Sequence, residues 1–250
     1  MTGDEEMTAE IGMRPSGTPG RHRTALPEAR SVLAVVARPG DEACYLGAVL
    51  DAFRCGGSDV SVLAFSRGDA SPYNESMERL GSIRPFEFDA AASALRATHC
   101  VLADYPEAEL RRLPIARLAE RVIRIIHEWR VDLLLTVDGR LGDRTPACVA
   151  CQAGRELDVP VLAWTLPHEV ASTVREATGL SVTGDAGRRI DFELRVGRAA
   201  QRRAMSAHCS QSKGDGTQLT RLALQGDREW LRWLVAASAA TAAPARRGRG

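Results

Sequence analysis

Apolar residues fall along the chain in two alternating patterns, short unbroken runs and longer stretches with helical spacing. Ser31 to Ala37 (SVLAVVA) and Asp59 to Phe65 (DVSVLAF) are runs of strand length. Between them, Leu46, Val49, Leu50 and Phe53 recur at the spacing of one helix face. Strand, helix, strand in this order predicts a βαβ unit with parallel strands. The pattern continues with a helix over Phe86 to Ala97, a short strand at His99 to Ala103 and a helix from Ile115 to Trp129 that places Leu118, Val122, Ile125, Ile126 and Trp129 on one face. A strand at Val131 to Val137, a helix from about Pro146 to Leu157 and a strand at Pro160 to Trp164 follow. Leu180 to Gly184 and Arg189 to Val196 read as a hairpin around Asp185-Ala186-Gly187, Arg198 to Ala207 as a helix, and Asp227 to about Ala237 as a final helix packing through Trp230, Trp233 and Leu234. The fold predicted is a single α/β Rossmann-like domain. Its sheet is mainly parallel, of five or six strands, with helices on both faces and an antiparallel edge.

Polar and glycine-rich stretches mark the ends. Residues 1–29 carry Gly, Pro, Thr and charges without apolar periodicity and read as a disordered leader. The domain is expected over 30–237, with a disordered Ala, Pro, Arg and Gly tail over 238–250. Ser66 to Pro85, punctuated by Gly68, Pro72, Asn74 and Gly81, reads as a loop leaving a strand on the ligand-bearing rim.

Composition narrows the chemistry. In 250 residues the formal net charge is +1 with both signs spread along the chain, so nothing points to nucleic acid or to an anionic membrane surface. No apolar run approaches the roughly 18 residues of a membrane span, and the acidic start MTGDEEMTAE lacks the basic and apolar regions of a signal peptide. A cytoplasmic location is expected. Six cysteines in a chain of this length suit reduced thiols rather than a disulfide framework. Lys213 is the only lysine, which removes Schiff-base and P-loop mechanisms. Cys148-x-x-Cys151 has zinc or redox spacing but lies in a predicted amphipathic helix with no completing pair, which favours packing. His22 and His127 are expected in solvent.

Two turns carry the candidate site. The first is Arg38-Pro39-Gly40-Asp41-Glu42, between the first strand and its helix, and the second is Asp138-Gly139-Arg140-Leu141-Gly142-Asp143-Arg144, after the Val131 strand. Strand-to-helix turns at carboxyl ends are where open α/β sheets bind ligands. With the Gly68-Asp69-Ala70-Ser71 loop and the late segment Ala207-His208-Cys209-Ser210-Gln211, this layout resembles the LmbE-like (PIG-L) family of zinc-dependent N-deacetylases from about Ser31 to Trp233. The resemblance implies hydrolysis of an N-acetyl group on an amino-sugar conjugate. In that family the first turn reads His-Pro-Asp-Asp-Glu, whose His and second Asp bind zinc and whose first Asp is the general base. Here Arg38 stands at the ligand His, Gly40 at the base, Asp41 at the second ligand and Glu42 at the final Glu. The family's second turn reads His-x-Asp-His, with the last His the third ligand; here Leu141-Gly142-Asp143-Arg144 matches it.

Arginine has no lone pair to give a metal and stays protonated. By the family's scheme no zinc or other cofactor is therefore expected, with Asp41 a vestigial ligand. His168, His208, Asp138, Asp143, Asp41 and Glu42 could rescue a metal only by converging from distant positions. Two readings of the arginines stand side by side: Arg38 and Arg144 pair with Asp41 and Asp143, or one of them binds an anion at a helix N-terminus. Asp41, Asp143 and His208 are the candidate catalytic groups, and Arg38, Glu42, Asp138, Arg144 and Gln211 the candidate ligand-binding groups. The expected partner is an amino-sugar-like or anionic small molecule, and the oligomeric state is open. Two functions follow: a non-catalytic descendant that keeps a binding pocket, or a hydrolase with a non-standard site.

Overall fold

The computed structural model describes residues 22–68, 77–212 and 216–237. Seven strands form one sheet in the order β3-β2-β1-β4-β5-β7-β6. They are β1 (Ser31–Val36), β2 (Asp59–Ala64), β3 (His99–Leu102), β4 (Leu133–Val137), β5 (Val161–Thr165), β6 (Phe192–Arg195) and β7 (Arg228–Val235). β1 to β5 are mutually parallel, and β7 runs antiparallel between β5 and β6. The helices are α1 (Gly47–Cys55), α2 (Met77–Ala94), α3 (Ile115–Trp129), α4 (Thr145–Leu157), α5 (His168–Thr178), α6 (Ala199–Ala207), the short α7 (Cys209–Ser212) and α8 (Gly216–Gln225).

Alternate residues of β1 feed two separate cores, as the period of a strand requires. Val32, Ala34 and Val36 pack on Leu46, Val49, Leu50 and Phe53 around α1 and on Phe88, Ala91 and Leu95 around α2. Leu33, Val35 and Ala37 pack on Leu118, Val122, Ile125 and Ile126 of α3 and on Val149, Ala150 and Ala153 of α4. Both faces of the parallel strands are thus covered, which is why their sequences read as continuous apolar runs. The chain leaves β1 toward β2 on one side and returns to β4 on the other, so a crevice opens at the carboxyl ends of β1 and β4.

The second half departs from the sequence reading. Residues 228–235, expected as a helix, are β7: Leu231 faces Phe192 and Trp164, and Trp230 faces Thr165, in a ladder that buries Trp230 and Leu231. Consecutive tryptophan, leucine and arginine positions fit a short helix face as well as a strand, and pairing with β5 decides it. The expected hairpin at 180–196 does not form; Asp185 makes an isolated bridge to Pro167, and only 192–195 is a strand, paired with β7. Helix α2 begins at Met77, inside the expected loop, and carries Pro85 within it. Helices α5 and α8 were not anticipated. Within the described part of the expected leader, Arg23 lies beside β6, its N–H donating to Asp191 O and its carbonyl accepting from Glu193 N–H. His22 Nδ1 lies 3.1 Å from Ile190 O. The rest of the leader, the tail, Lys213 and residues 69–76 lie outside the described residues. Among the described residues no helix is long and apolar enough to cross a membrane.

Close packing of α4 onto β5 rests on Gly154. A Cβ there would stand 2.6 Å from both Val159 O and Val161 Cγ2. Alanine gains about 1 kcal/mol in helix propensity, but overpacking against a backbone carbonyl costs roughly 1–3 kcal/mol. Gly154→Ala is therefore expected to lower the urea midpoint of unfolding. An unchanged or raised midpoint would mean that α4 shifts freely on the sheet.

Candidate functional site

The first turn is fixed from behind by groups that never reach the crevice. Gly40 adopts φ +99°, a conformation that disfavours side chains, and its N–H donates to Glu42 Oε2 at 2.8 Å. Glu42 is fully buried, and its Oε1 lies 2.6 Å from His208 Nε2. Gln211, one turn beyond His208, donates from Nε2 to Pro39 O at 2.9 Å. Its Oε1 occupies the space where a side chain at 40 would begin, 2.5 Å from the position of a Cβ. The other imidazole nitrogen, His208 Nδ1, is buried without a hydrogen-bond partner among the described residues. The family-like segment at 207–211 therefore braces the turn rather than lining a cavity.

Residues 42–46 form a π-helical turn, and its carbonyls are met from two later helices. Gln201 Nε2 on α6 donates to Ala43 O at 3.1 Å and Cys44 O at 2.8 Å. Arg221 on α8 donates to Cys44 O at 2.6 Å, with its guanidinium 5.1 Å from the Tyr45 ring centre and 5.2 Å from that of Trp164. Burial pushes the Arg221 pKa below its ordinary value.

Arg38 emerges on the front of the turn. Its Nη1 donates to Glu107 Oε1 at 3.0 Å and its Nε lies 3.6 Å from Asp41 Oδ1. The charge of Asp41, aided by Glu107, holds the guanidinium protonated above its usual range despite partial burial. Burial pushes the Asp41 carboxyl up to about 6, against the opposing charge of Arg38.

The acidic groups of the second turn are divided between two tasks. Asp138 is locked in a buried cluster: it accepts from Arg140 N, Nε and Nη2 at 3.1, 3.2 and 2.8 Å, and Arg232 Nε stands 2.6 Å away. Arg140 also pairs with Asp185, which accepts from Thr165 Oγ1 at 3.2 Å. Burial raises the Asp138 pKa, yet Arg140 and Arg232 outweigh it and hold the carboxyl below its ordinary value. Asp143 caps α4 by accepting from Thr145 N–H at 2.9 Å and pairs with Arg111 Nε at 3.0 Å. These bonds outweigh burial and lower its pKa. The expected pairing of Arg38 with Asp41 thus forms, whereas that of Arg144 with Asp143 does not. Arg144 is exposed at the N-terminus of α4 and makes no ion pair among the described residues, because the Asp143 carboxylate is turned toward the helix and Arg111.

A cavity of about 480 Å³ lies at the crevice between β1 and β4, walled by the first turn, the start of α4 and a 3₁₀ turn at Glu107–Arg112. Of the residues anticipated from sequence, Arg38, Asp41 and Asp143 reach it. Glu42, His208 and Gln211 stand behind the first turn, Asp138 lies in its own cluster, and His168 is exposed at the start of α5. Glu107 and Arg111 were missed. The signal was present in Glu-Ala-Glu-Leu-Arg-Arg, directly after a strand that ends on the rim. Among the described residues no three His, Cys, Asp or Glu side chains are grouped to hold a metal ion.

Two predictions test this geometry. Gly40→Ala combines an unfavourable φ with contact on Gln211, and a loss of about 1–3 kcal/mol is expected, read by thermal or urea unfolding; a neutral substitution would show that the turn relaxes. Asp41 gives a pH signature. Between 3.8 and about 6 the folded protein holds a proton there that the unfolded chain releases. The Asp41 contribution to stability therefore falls as pH rises through that window. The stability of Asp41→Asn relative to the parent is expected to improve from about pH 4 to about pH 7, and a pH-independent difference would show that this carboxyl titrates normally.

Residues 33–148 match the sequence family described as PIG-L, GlcNAc-PI de-N-acetylase. No match was found among curated protein sequences. The solved structures of similar fold include a deacetylase triple mutant (Orf2*T) of the teicoplanin biosynthetic pathway, at 21% identity and TM-score 0.63, covering 84% of this chain and 99% of that one. N,N'-diacetylchitobiose deacetylase from Pyrococcus horikoshii is similar at 15% identity and TM-score 0.61, covering 82% of this chain and 84% of that one. GalB, the 4-carboxy-2-hydroxymuconate hydratase from Pseudomonas putida KT2440, is similar at 14% identity and TM-score 0.60, covering 84% and 98%. At such identities the likeness is one of fold, and the hydratase shows that this fold carries more than one chemistry. The segment from 33 to 148, which contains both turns and the cavity they frame, is a PIG-L (LmbE-like) family domain.

Proposed function

We propose that this protein is impaired as a zinc hydrolase and uses the cavity between β1 and β4 to bind an amino-sugar-like or anionic small molecule. The observation that carries the reading is Arg38, which stands at the family's ligand-histidine position and spends its guanidinium on Asp41 and Glu107. Zinc does not fit this donor set. A hydrolytic zinc site takes three protein donors and leaves one position for water. Of the three matching positions only Asp41 can donate, and it is turned to Arg38. Each guanidinium near the site would instead repel the dication, by several kcal/mol at ~4–6 Å and an effective dielectric of about 20.

The base is affected as well. Gly40 offers no carboxylate, and Gln211 fills the space above it with a carboxamide that cannot take a proton from water. What the cavity retains suits recognition: two guanidiniums, three carboxylates and apolar walls at Val35, Val36, Leu110 and Pro146. Polyhydroxyl rings with amino substituents are bound by such mixtures of donors and acceptors.

A second reading is supported by Asp41, whose pKa near 6 lies in the range of a general base. In that reading Asp41 activates water and Arg38 stabilises the oxyanion, without a metal. The measurement that separates the two is metal content of the purified protein together with acetate release from N-acetylglucosamine and N,N'-diacetylchitobiose. The proposal expects less than stoichiometric zinc, no turnover of these sugars, and calorimetric binding of an amino sugar or an anionic sugar such as glucosamine 6-phosphate. Chelator-sensitive turnover with stoichiometric zinc would sink it, and metal-independent turnover lost in Asp41→Asn would establish the second reading.

A further inference from the structure

The charges around the cavity are sorted by their access to solvent. The side chains of Asp41, Glu107 and Asp143 are 18, 15 and 20% exposed, whereas those of Arg38 and Arg111 are 54 and 73% exposed. Carboxylates therefore make a shielded inner wall, and guanidiniums stand toward the mouth. Among the described residues, three carboxylates and two guanidiniums line the cavity.

Of the three carboxylates, Asp41 has the longest contacts. Glu107 takes Arg38 Nη1 at 3.0 Å, and Asp143 takes Thr145 N–H at 2.9 Å and Arg111 Nε at 3.0 Å. Asp41 has only the Nε of Arg38 at 3.6 Å and the backbone N–H of Arg38 at 3.3 Å among the described residues. A shielded carboxylate with long, shared contacts gains most from a new charged donor. At the mouth the situation is reversed. Arg111 is largely exposed, its pair with Asp143 is weakened by solvent, and its remaining N–H groups can take an acidic group without breaking that pair.

We infer that the cavity takes a small zwitterion, with a primary ammonium seated against Asp41 and a phosphate or carboxylate held at the mouth by Arg111 and Arg38. The inference rests on the reading that this cavity is the ligand site, and it narrows that reading to molecules carrying a free amine. An N-acetylated amine is neutral and offers a single N–H, so it cannot meet Asp41 as an ammonium does. The amine-bearing form is thus favoured over the acetylated one through Asp41, while Arg111 on the 3₁₀ turn selects the acidic group.

Calorimetric titration of the full chain with six probes tests this. Glucosamine 6-phosphate carries both groups; N-acetylglucosamine 6-phosphate and glucose 6-phosphate lack the ammonium, and glucosamine lacks the acid. The non-sugar pair is 5-aminopentanoate and pentanoate. Removing the ammonium from a binding probe is expected to weaken affinity by about tenfold or more. Asp41→Asn should erase that difference, and Arg111→Ala should erase the advantage of the phosphate. Equal or tighter binding of the amine-free sugars overturns the zwitterion while leaving a sugar-binding cavity in place. Binding of 5-aminopentanoate over pentanoate with no sugar bound supports the zwitterion and removes the amino-sugar reading. No binding of any probe at millimolar concentration overturns both. The comparison among probes on the parent protein decides the matter even where a variant fails to fold.

Discussion

The structure depends on a buried bracket around Gly40. Glu42 accepts the Gly40 N–H on one oxygen and meets His208 on the other, while Gln211 ties the same loop through Pro39 O. A carboxylate this deep is tolerated only because both its oxygens are engaged. Since Glu42 opens the helical segment after β1 and His208 ends α6, the bracket joins two elements more than 160 residues apart in the chain. It sets where Arg38 and Asp41 emerge, and so sets the cavity. Gln201 and Arg221 extend the same logic by taking the carbonyls of the π-helical turn.

Around this frame the polar groups fall into separate compartments rather than one convergent centre. Asp138, Arg140, Asp185 and Arg232 pair with one another beside the carboxyl ends of β4 and β5, although Asp185 Oδ1 keeps no hydrogen-bond partner among the described residues, and Asp143 is engaged at the start of α4. Buried charges that have found partners nearby have little left to offer a ligand. The groups that retain capacity are those on the cavity wall, where pairing is partial and solvent is close.

Much of the first half was legible in the sequence because parallel strands buried on both faces leave unbroken apolar runs, as in Val32 to Val36 and Leu133 to Val137. The switch-point location of the site followed from the same pattern. The C-terminal half was less legible: Trp230, Leu231 and Trp233 fit either period, and only the partners across the sheet resolve them. At the site, motif positions identified Arg38, Asp41 and Asp143, but the direction in which each carboxylate turns is a matter of tertiary contacts. Arg111 captures Asp143 from a segment 32 residues earlier, which no local spacing could reveal. Glu42, His208 and Gln211 stood out singly as motif positions expected at the pocket, and only the tertiary contacts show that they converge behind Gly40 as braces.

The placement of β7 has a consequence for how the chain is made. Its antiparallel insertion between β5 and β6 means that the last strand among the described residues completes the sheet from within. On a ribosome, β5 would emerge with an open edge and β6 without its partner β7 until residues 228–235 arrive. Synthesis at roughly 5–20 residues per second leaves that edge exposed for several seconds, a window in which a nascent chain is open to pairing with the wrong strand.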